Sequence, residues 1–414
     1  MMNINALLLA SLFATANLAS AVNTEPILKE LSQFSFPDGK SAAEWGHRVM
    51  ELKKRHDAGE EEALKLVAEL YEAWEDEFAK YLRSDKLDIS ESHKMASFVE
   101  NMWGAAKTNI RNLDSKDQPW WQSLNRFANL NWDDFQEHFL MKEFKIPDKT
   151  EIIDISKIQF ADCVDWDTNG QLTPVKNQGA CGSCWAFSAA AAKESNYLIK
   201  KGKTYAANPI DLSEQQLVDC VRSPRTDTTG SAYSSRGCNG GHSYQAFDFI
   251  HKYGLYKESK YPYTASDGTC TLDFRLSTEM KGTGSAPGWG RLSPSSDVGA
   301  IKTALNKQTL SHYLRVEQPF QLYNGGVFST PCTGDGINHA TLLYGYCDYY
   351  FDQLGFGTDV WKIKNSWGEG WGEDGKMRMA IQGGDGICEA QKYVWVDEDA
   401  DFKFNGKLKL PIGK

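Results

Sequence analysis

Two cysteines three residues apart, Cys181 and Cys184, head an alanine-rich run in "QGACGSCWAFSAAAA" (178–192). Such a pair serves as metal ligands, a dithiol redox couple, structural half-cystines, or a nucleophile with a neighbour. A structural zinc site needs four ligands, and no second C-x2-C or H-x3-5-H pair accompanies this one. A thioredoxin-like couple belongs in a cysteine-poor domain, whereas Cys163, Cys220, Cys238, Cys270, Cys332, Cys347 and Cys388 share this part of the chain. Nucleophilic chemistry suits Cys184 better. It opens a helix predicted over 184–201, and the unpaired N–H groups at a helix start favour the thiolate, which is the reactive form of cysteine.

A thiolate that attacks acyl groups works with an imidazole, and His242, His251, His312 and His339 are the candidates. His251 sits on an amphipathic helix and reads as a surface residue, His242 follows a Gly-Gly turn and could line a cleft, and His312 lies in a short strand-like run. His339 opens "HATLLYGYC" (339–347), whose alternation pairs with "DVWKIKNSW" (359–367) as an antiparallel hairpin. The start of one strand then faces the end of the other, so His339 and Asn365 meet across 26 positions (365 − 339). Cysteine, histidine and asparagine supply nucleophile, base and an orienter for the imidazole.

The elements that must position these groups are legible from pattern. The 184–201 helix is apolar on all sides at its start, hence buried there, and stops at Gly202 after two lysines. Helices follow at 212–220, with Ser213 as N-cap, and at 243–254; strands dominate from about Gly282. This is an α+β arrangement, a helical part followed by a β-rich one. Upstream, 41–113 carries amphipathic helices broken near Gly59 and at 84–90, with Leu64, Val67, Leu70, Tyr71, Trp74, Phe78 and Leu82 at helical spacing. An aromatic segment at 123–140 has Asn131 or Asp133 as helix cap, 144–159 reads as an extended linker, and a boundary falls near Phe160.

At 414 residues and 41% apolar the chain has room for about two to three domains. An excess of 55 acidic over 45 basic residues gives no electrostatic reason to expect nucleic acid or an anionic membrane as partner. Residues 4–16 form a short apolar run before Ala19-Ser20-Ala21, which reads as a signal peptide over 1–21; no later run reaches the ~20 apolar residues that span a bilayer. All nine cysteines lie from Cys163 onward, a disulfide framework whose odd count leaves a thiol free. No N-x-S/T sequon occurs.

"QGACGSCWAFS", "GCNGG", "NHA" and "KNSWGEGWG", in this order, closely resemble the papain-like cysteine peptidases of the cathepsin L-like branch, over about 160–396. The resemblance implies a papain-like fold with a helical left subdomain and an antiparallel β-barrel-like right subdomain, preceded by a helical inhibitory propeptide. Residues 22–159 then form the propeptide, with a linker at about 141–159 crossing the cleft in the non-productive direction, and 160–414 the peptidase domain with a C-terminal extension. By the same resemblance Cys184 is the nucleophile, His339 the general acid/base, Asn365 its orienter, and Gln178 an oxyanion donor with the Cys184 N–H. Trp367 shields the His339–Asn365 bond, and Trp371 packs nearby. Disulfides are implied for Cys181–Cys238, Cys220–Cys270 and Cys332–Cys388. Cys163 and Cys347 match no usual half-cystine of the family and are either a fourth bridge or two buried thiols. No metal or cofactor is implied.

The propeptide's usual helix pattern corresponds to Ser90, Lys94, Phe98, Asn101, Ala105 and Asn109, and its second pattern to Ser123, Asn125, Phe127 and Asn129, where the last has lost a carboxylate. The pocket for the substrate residue second before the cut bond (P2) is assigned to His242, Ser243, Tyr244, His312, Ile337, Ala340 and Tyr393. Gly240 and Gly241 offer backbone to an extended peptide. With His312 and Tyr393 in it, the pocket is expected to be short and to prefer Val or Leu. The loops 221–237 and 348–358, the glycine-rich stretch 282–299 and the tail after Val396 read as surface insertions. No extra histidine-bearing loop separates Gly241 from Cys270, which implies an open cleft and endopeptidase action. Implied partners are protein and peptide substrates, the propeptide itself and cystatin-type inhibitors, for a monomer in the secretory pathway that is lysosomal, vacuolar or secreted. A catalytically inactive binding protein and a thiol-disulfide oxidoreductase are the alternative readings.

Overall fold

The structure is a computed structural model and describes residues 25–113, 120–142, 152–154, 161–272, 288–293, 297–351 and 356–398. The expected signal peptide (1–21), residues 143–151 and 155–160 of the expected linker, and the tail beyond Glu398 lie outside these. The chain forms two compact units, one of 1–136 with 318–329 and 370–373, the other of the remaining residues from Glu137 on. No helix among the described residues is long and apolar enough to cross a membrane.

The first unit is built on helices Glu25–Leu31, Gly39–Asp57, Glu61–Asp85 and Glu91–Leu113. Asp38 caps the second by accepting the Ser41 N–H at 2.7 Å, satisfying a donor the helix itself leaves open. On the Glu61–Asp85 helix, Leu66, Val67, Leu70, Tyr71, Trp74 and Phe78 are buried at helical spacing, while Leu64 and Leu82 flank that stripe half-buried. The asparagines of the 91–113 helix act as clamps. Asn101 Nδ2 donates to the Ala128 and Leu130 carbonyls, both at 2.8 Å. Asn109 both donates to Gln122 O at 2.9 Å and accepts the Gln122 N–H at 2.8 Å. Strand Trp120–Gln122 pairs antiparallel with Tyr323–Phe328, and helix Trp132–Phe139 is capped by Asn131, which accepts the Asp134 N–H at 2.8 Å. Arg126, wholly buried, lies between the rings of Tyr81 and Phe127 and is 2.5 Å from Asp85.

The second unit packs helices Cys184–Lys201 and Ser243–Tyr253 against a sheet of Lys376–Ala380, Phe356–Lys364, His339–Phe351, Leu310–Leu314, Tyr393–Asp397, Trp289–Ser293 and Ile152–Asp154, in that order. Its neighbours are antiparallel except Ile152–Asp154, which runs parallel to Trp289–Ser293. Ser213 caps helix Glu214–Cys220 by accepting the Gln216 N–H at 3.1 Å. Three expectations need correction. The 221–237 insertion contains a paired hairpin, Arg222–Thr226 with Ala232–Ser234. The 348–358 insertion is largely strand, because the hairpin runs to Phe351 and resumes at Phe356. His251 is buried, not on the surface, since Gly288 lies against its ring and seals that helix face.

Candidate active site

Cys184 is the first residue of its helix, fully buried, and its partners in chemistry are held by the two segments that flank it. Four disulfides join Cys163–Cys347, Cys181–Cys238, Cys220–Cys270 and Cys332–Cys388, leaving Cys184 as the free cysteine. On one side, Gln178 is locked at both ends: its N–H donates to Ser366 O at 2.8 Å, and its Oε1 accepts the Ser366 hydroxyl at 2.7 Å. Its amide nitrogen therefore points its two hydrogens elsewhere, to Cys181 O at 2.8 Å and Phe139 O at 2.9 Å. Tyr263 adds a brace the sequence did not announce, donating to Gln178 O at 2.7 Å while its oxygen lies 2.6 Å from Ser183 Oγ.

On the other side, His339 begins its strand and Asn365 directly follows Phe356–Lys364. His339 Nε2 is 2.8 Å from Asn365 Oδ1. That oxygen also accepts the Ser366 N–H at 2.8 Å, which identifies it as the amide carbonyl. His339 Nε2 must then carry the proton, leaving Nδ1 as the bare, basic nitrogen of the neutral ring. Nδ1 is buried without a hydrogen-bond partner among the described residues. The Trp367 indole stacks on the imidazole at 4.6 Å and is itself fully buried, which excludes water from the His339–Asn365 bond. Trp371 stacks instead on Phe320 at 5.4 Å.

Burial dominates the electrostatics. It pushes the Cys184 thiol up to about 12, against the lowering pull of N–H groups at Ala340, Trp185 and Cys184 itself. It drives His339 down to about 3, opposed by the bond to Asn365. In this covered form burial thus favours the neutral thiol and the neutral imidazole, against the pull of the helix N-terminus towards the thiolate.

The profile of the papain family cysteine protease matches residues 160–396. The chain belongs to this family. Caricain from Carica papaya is 36% identical over 299 residues, 69% of this chain and 77% of that protein. A cathepsin L-like proteinase from Phaedon cochleariae is 28% identical over 324 residues, 78% of this chain and 91% of that protein. Among solved structures, a recombinant stem bromelain precursor superposes with a TM-score of 0.62 at 30% identity, covering 80% of this chain and 97% of that one. A digestive procathepsin L2 proteinase from Tenebrio molitor larval midgut gives 0.65 at 26% identity, covering 80% and 99%.

In this cysteine protease residues 139–141 lie against the site, where the linker was expected to begin at about 141. Phe139 O occupies the Gln178 amide, Leu140 O lies close over Gly182, and the Met141 N–H donates to Asn338 O at 2.9 Å. Met141 then rests on Gly240, where a Cβ would sit 3.1 Å from its own. The segment runs from Gln178 towards Gly240. Gly241 has no space for a side chain, since a Cβ there would fall 2.4 Å from the Trp185 ring.

The expected pocket residues do not all converge. Ile337 and Ala340 share an apolar cluster with Tyr244 and Tyr393. His242 is buried 5.0 Å from the Tyr244 ring and is pushed down to about 4, chiefly by burial and then by the Arg236 charge. Tyr393 lies under the Arg291 guanidinium at 4.7 Å. His312 does not join them. Its Nδ1 is 3.0 Å from Ala390 O and its Nε2 2.5 Å from Thr341 Oγ1, both ring nitrogens being spent in the interior. The reason is strand alternation: Tyr313, not His312, pairs with Ala340 and faces the same side. Among the described residues no cluster of three or more His, Cys, Asp or Glu is arranged to hold a metal ion.

Proposed function

We propose that the protein is a self-inhibited cysteine endopeptidase in which Cys184, His339, Asn365 and Gln178 carry the reaction. The carrying observation is the Gln178 amide, with one hydrogen on Cys181 O and the other on Phe139 O. Withdrawal of Phe139 frees that second N–H for a substrate oxyanion, together with the Cys184 N–H, a contribution of ~3 kcal/mol per donor at comparable sites. Water entering the uncovered cleft lifts the desolvation of Cys184 and His339, so the thiol proton passes to His339 Nδ1 and an ion pair forms. The thiolate adds to the scissile carbonyl carbon. His339 Nδ1–H then protonates the departing amine as the C–N bond breaks, leaving a thioester on Cys184. Water, deprotonated by His339, hydrolyses the thioester and restores the thiol. Asn365 keeps the imidazole in the required tautomer throughout.

The direction of the 139–142 segment supports inhibition rather than cleavage, because substrate residues before the cut bond would lie first along Gly240 and Gly241 and reach Gln178 last. On this reading residues 22–159 are a removable propeptide behind a signal peptide over 1–21, and 160–414 the peptidase with its extension. The protease is a monomer of the secretory pathway, resident in an acidic compartment or secreted, and open to cystatin-type inhibitors. Acid treatment of the purified proenzyme, followed by an epoxysuccinyl inhibitor and mass spectrometry, tests the reading. Stoichiometric labelling of Cys184 with loss of the N-terminal segment is expected. Insulin-disulfide reduction without Cys184 labelling would overturn it in favour of thiol exchange.

A further inference from the structure

The two donors that would hold an oxyanion, the Gln178 amide and the Cys184 N–H, stand six positions apart (184 − 178) on one loop. A loop of that length does not by itself keep two donors aimed at one point, so other contacts must set their spacing. The bonds between Ser366 and Gln178 fix one end. Tyr263 meets the loop at both ends. Its hydroxyl donates its one hydrogen to Gln178 O at 2.7 Å. Ser183 Oγ, 2.6 Å away, must then be the donor in the second contact, and Ser183 immediately precedes Cys184. A single phenol oxygen thus links the residue that carries one donor to the residue in front of the other.

Tyr263 is itself held from three directions. Its ring meets Phe187, one turn into the nucleophile's helix, edge to face at 4.8 Å and 88°. Its N–H donates to Glu258 Oε1 at 2.6 Å, and the N–H of the next residue, Thr264, donates to Gln215 Oε1 at 2.9 Å, on helix Glu214–Cys220. The hydroxyl therefore has a fixed place from which to pull on the loop. Burial pushes the phenol well above its ordinary pKa, with the Ser183 hydrogen bond opposing, so it keeps its proton wherever the enzyme works.

We propose that Tyr263 is a positioning residue for peptide hydrolysis by this protease: its hydroxyl sets the separation of the Gln178 and Cys184 oxyanion donors. It acts through Gln178 and Ser183 rather than on the substrate, and the inference rests on the protease reading above. Stabilisation by such donors depends on their being aimed in advance at the place where charge develops. A loosened loop therefore weakens the transition state more than it weakens substrate binding, and the loss falls on kcat rather than KM.

The test uses the full chain, activated by removal of its N-terminal segment, with active sites titrated at Cys184 by an epoxysuccinyl inhibitor. Two rates are compared per titrated site. One is hydrolysis of a fluorogenic peptide, which needs the oxyanion donors. The other is attack of the Cys184 thiolate on a dipyridyl disulfide, in which a mixed disulfide forms, a pyridinethione leaves and no oxyanion develops. Tyr263→Phe keeps the ring on Phe187 but removes the hydroxyl. It should lower kcat by roughly 10- to 100-fold, with KM and the disulfide rate within about twofold of native. The pH limbs of kcat/KM should stay in place, since the tether exchanges no proton in that range. Ser183→Ala, which cuts only the arm towards Cys184, should give a smaller fall in kcat, and the double variant should be no worse than Tyr263→Phe. If Tyr263→Phe yields no titratable Cys184, Ser183→Ala decides by the same two rates. An unchanged kcat, or an equal fall in both rates, overturns the proposal and leaves the protease reading standing. A native protein whose Cys184 is not labelled and which cuts no peptide overturns both.

Discussion

Each of the two units is held internally by a different kind of bond. The helical unit contains no cysteine; its tertiary structure rests on buried aromatic rings, the amide clamps of Asn101 and Asn109, and one enclosed ion pair, Asp85 with Arg126. The peptidase unit carries all four disulfides, including Cys163–Cys347, which fastens the start of that domain to strand His339–Phe351. The first unit has no covalent cross-link to hold it once it is cut, whereas the second keeps its disulfides.

Several perturbations should widen or erase this contrast. Cys184→Ala is expected to lower peptide hydrolysis by roughly 10⁴-fold or more while leaving the thermal unfolding of both units in place, measured as turnover and by calorimetry. In that inactive background, Asp85→Ala removes the carboxylate but leaves Arg126 buried. A loss of about 3–5 kcal/mol is expected in the helical unit alone, seen as rapid cleavage of the N-terminal segment by added trypsin while the peptidase unit resists. Equal sensitivity of both units would break the comparison. Replacing both Cys163 and Cys347 by Ser should cost the peptidase unit about 2–4 kcal/mol, read as a lower Tm for that unit with no change in the tryptic release of the helical one.

The smallest effect concerns pH. His312 is pushed down by burial from 6.5 to about 4, the Ala390 carbonyl opposing. Its folded value lies below the unfolded one, so between these values the unfolded chain binds more protons. The stability it contributes is present above 6.5 and is lost as pH falls towards 4. His312→Gln should therefore flatten the decline of peptidase-unit Tm between pH 7 and 4.5 by the equivalent of about 1–3 kcal/mol. An unchanged slope would show that His312 is not a titrating contributor.

Most of the site was legible because its members stand at element ends that periodicity marks well. The Cys184 helix start and the His339 hairpin follow from pattern alone, and the hairpin predicts the meeting with Asn365 that is found at 2.8 Å. What sequence could not supply is register and burial. In "QTLSHYLRVEQP" the strand reads equally well in either phase, and a slip of one residue pairs His312 with Thr341 and sets Tyr313 opposite Ala340. His251 has the spacing of an exposed face but is covered by a segment distant in sequence. The contact of Phe139 O with Gln178 was missed because Phe139 closes an amphipathic helix and carries no signal of reaching the site. Ser366 and Tyr263 were missed for a related reason: each acts through a single hydrogen bond to Gln178, and no spacing rule encodes that.

The solitude of Cys184 has a bearing on storage. With every other cysteine already paired, an oxidant has one thiol to attack, and no neighbouring thiol stands ready to rescue a sulfenic acid by forming a disulfide. Once uncovered, the enzyme is therefore open to permanent inactivation by peroxide. While Phe139 holds the Gln178 amide, Cys184 is fully buried and that burial pushes its thiol pKa up, the two conditions that slow thiol oxidation most. The segment that withholds activity also preserves it, as a chemical cap on the shelf life of the nucleophile.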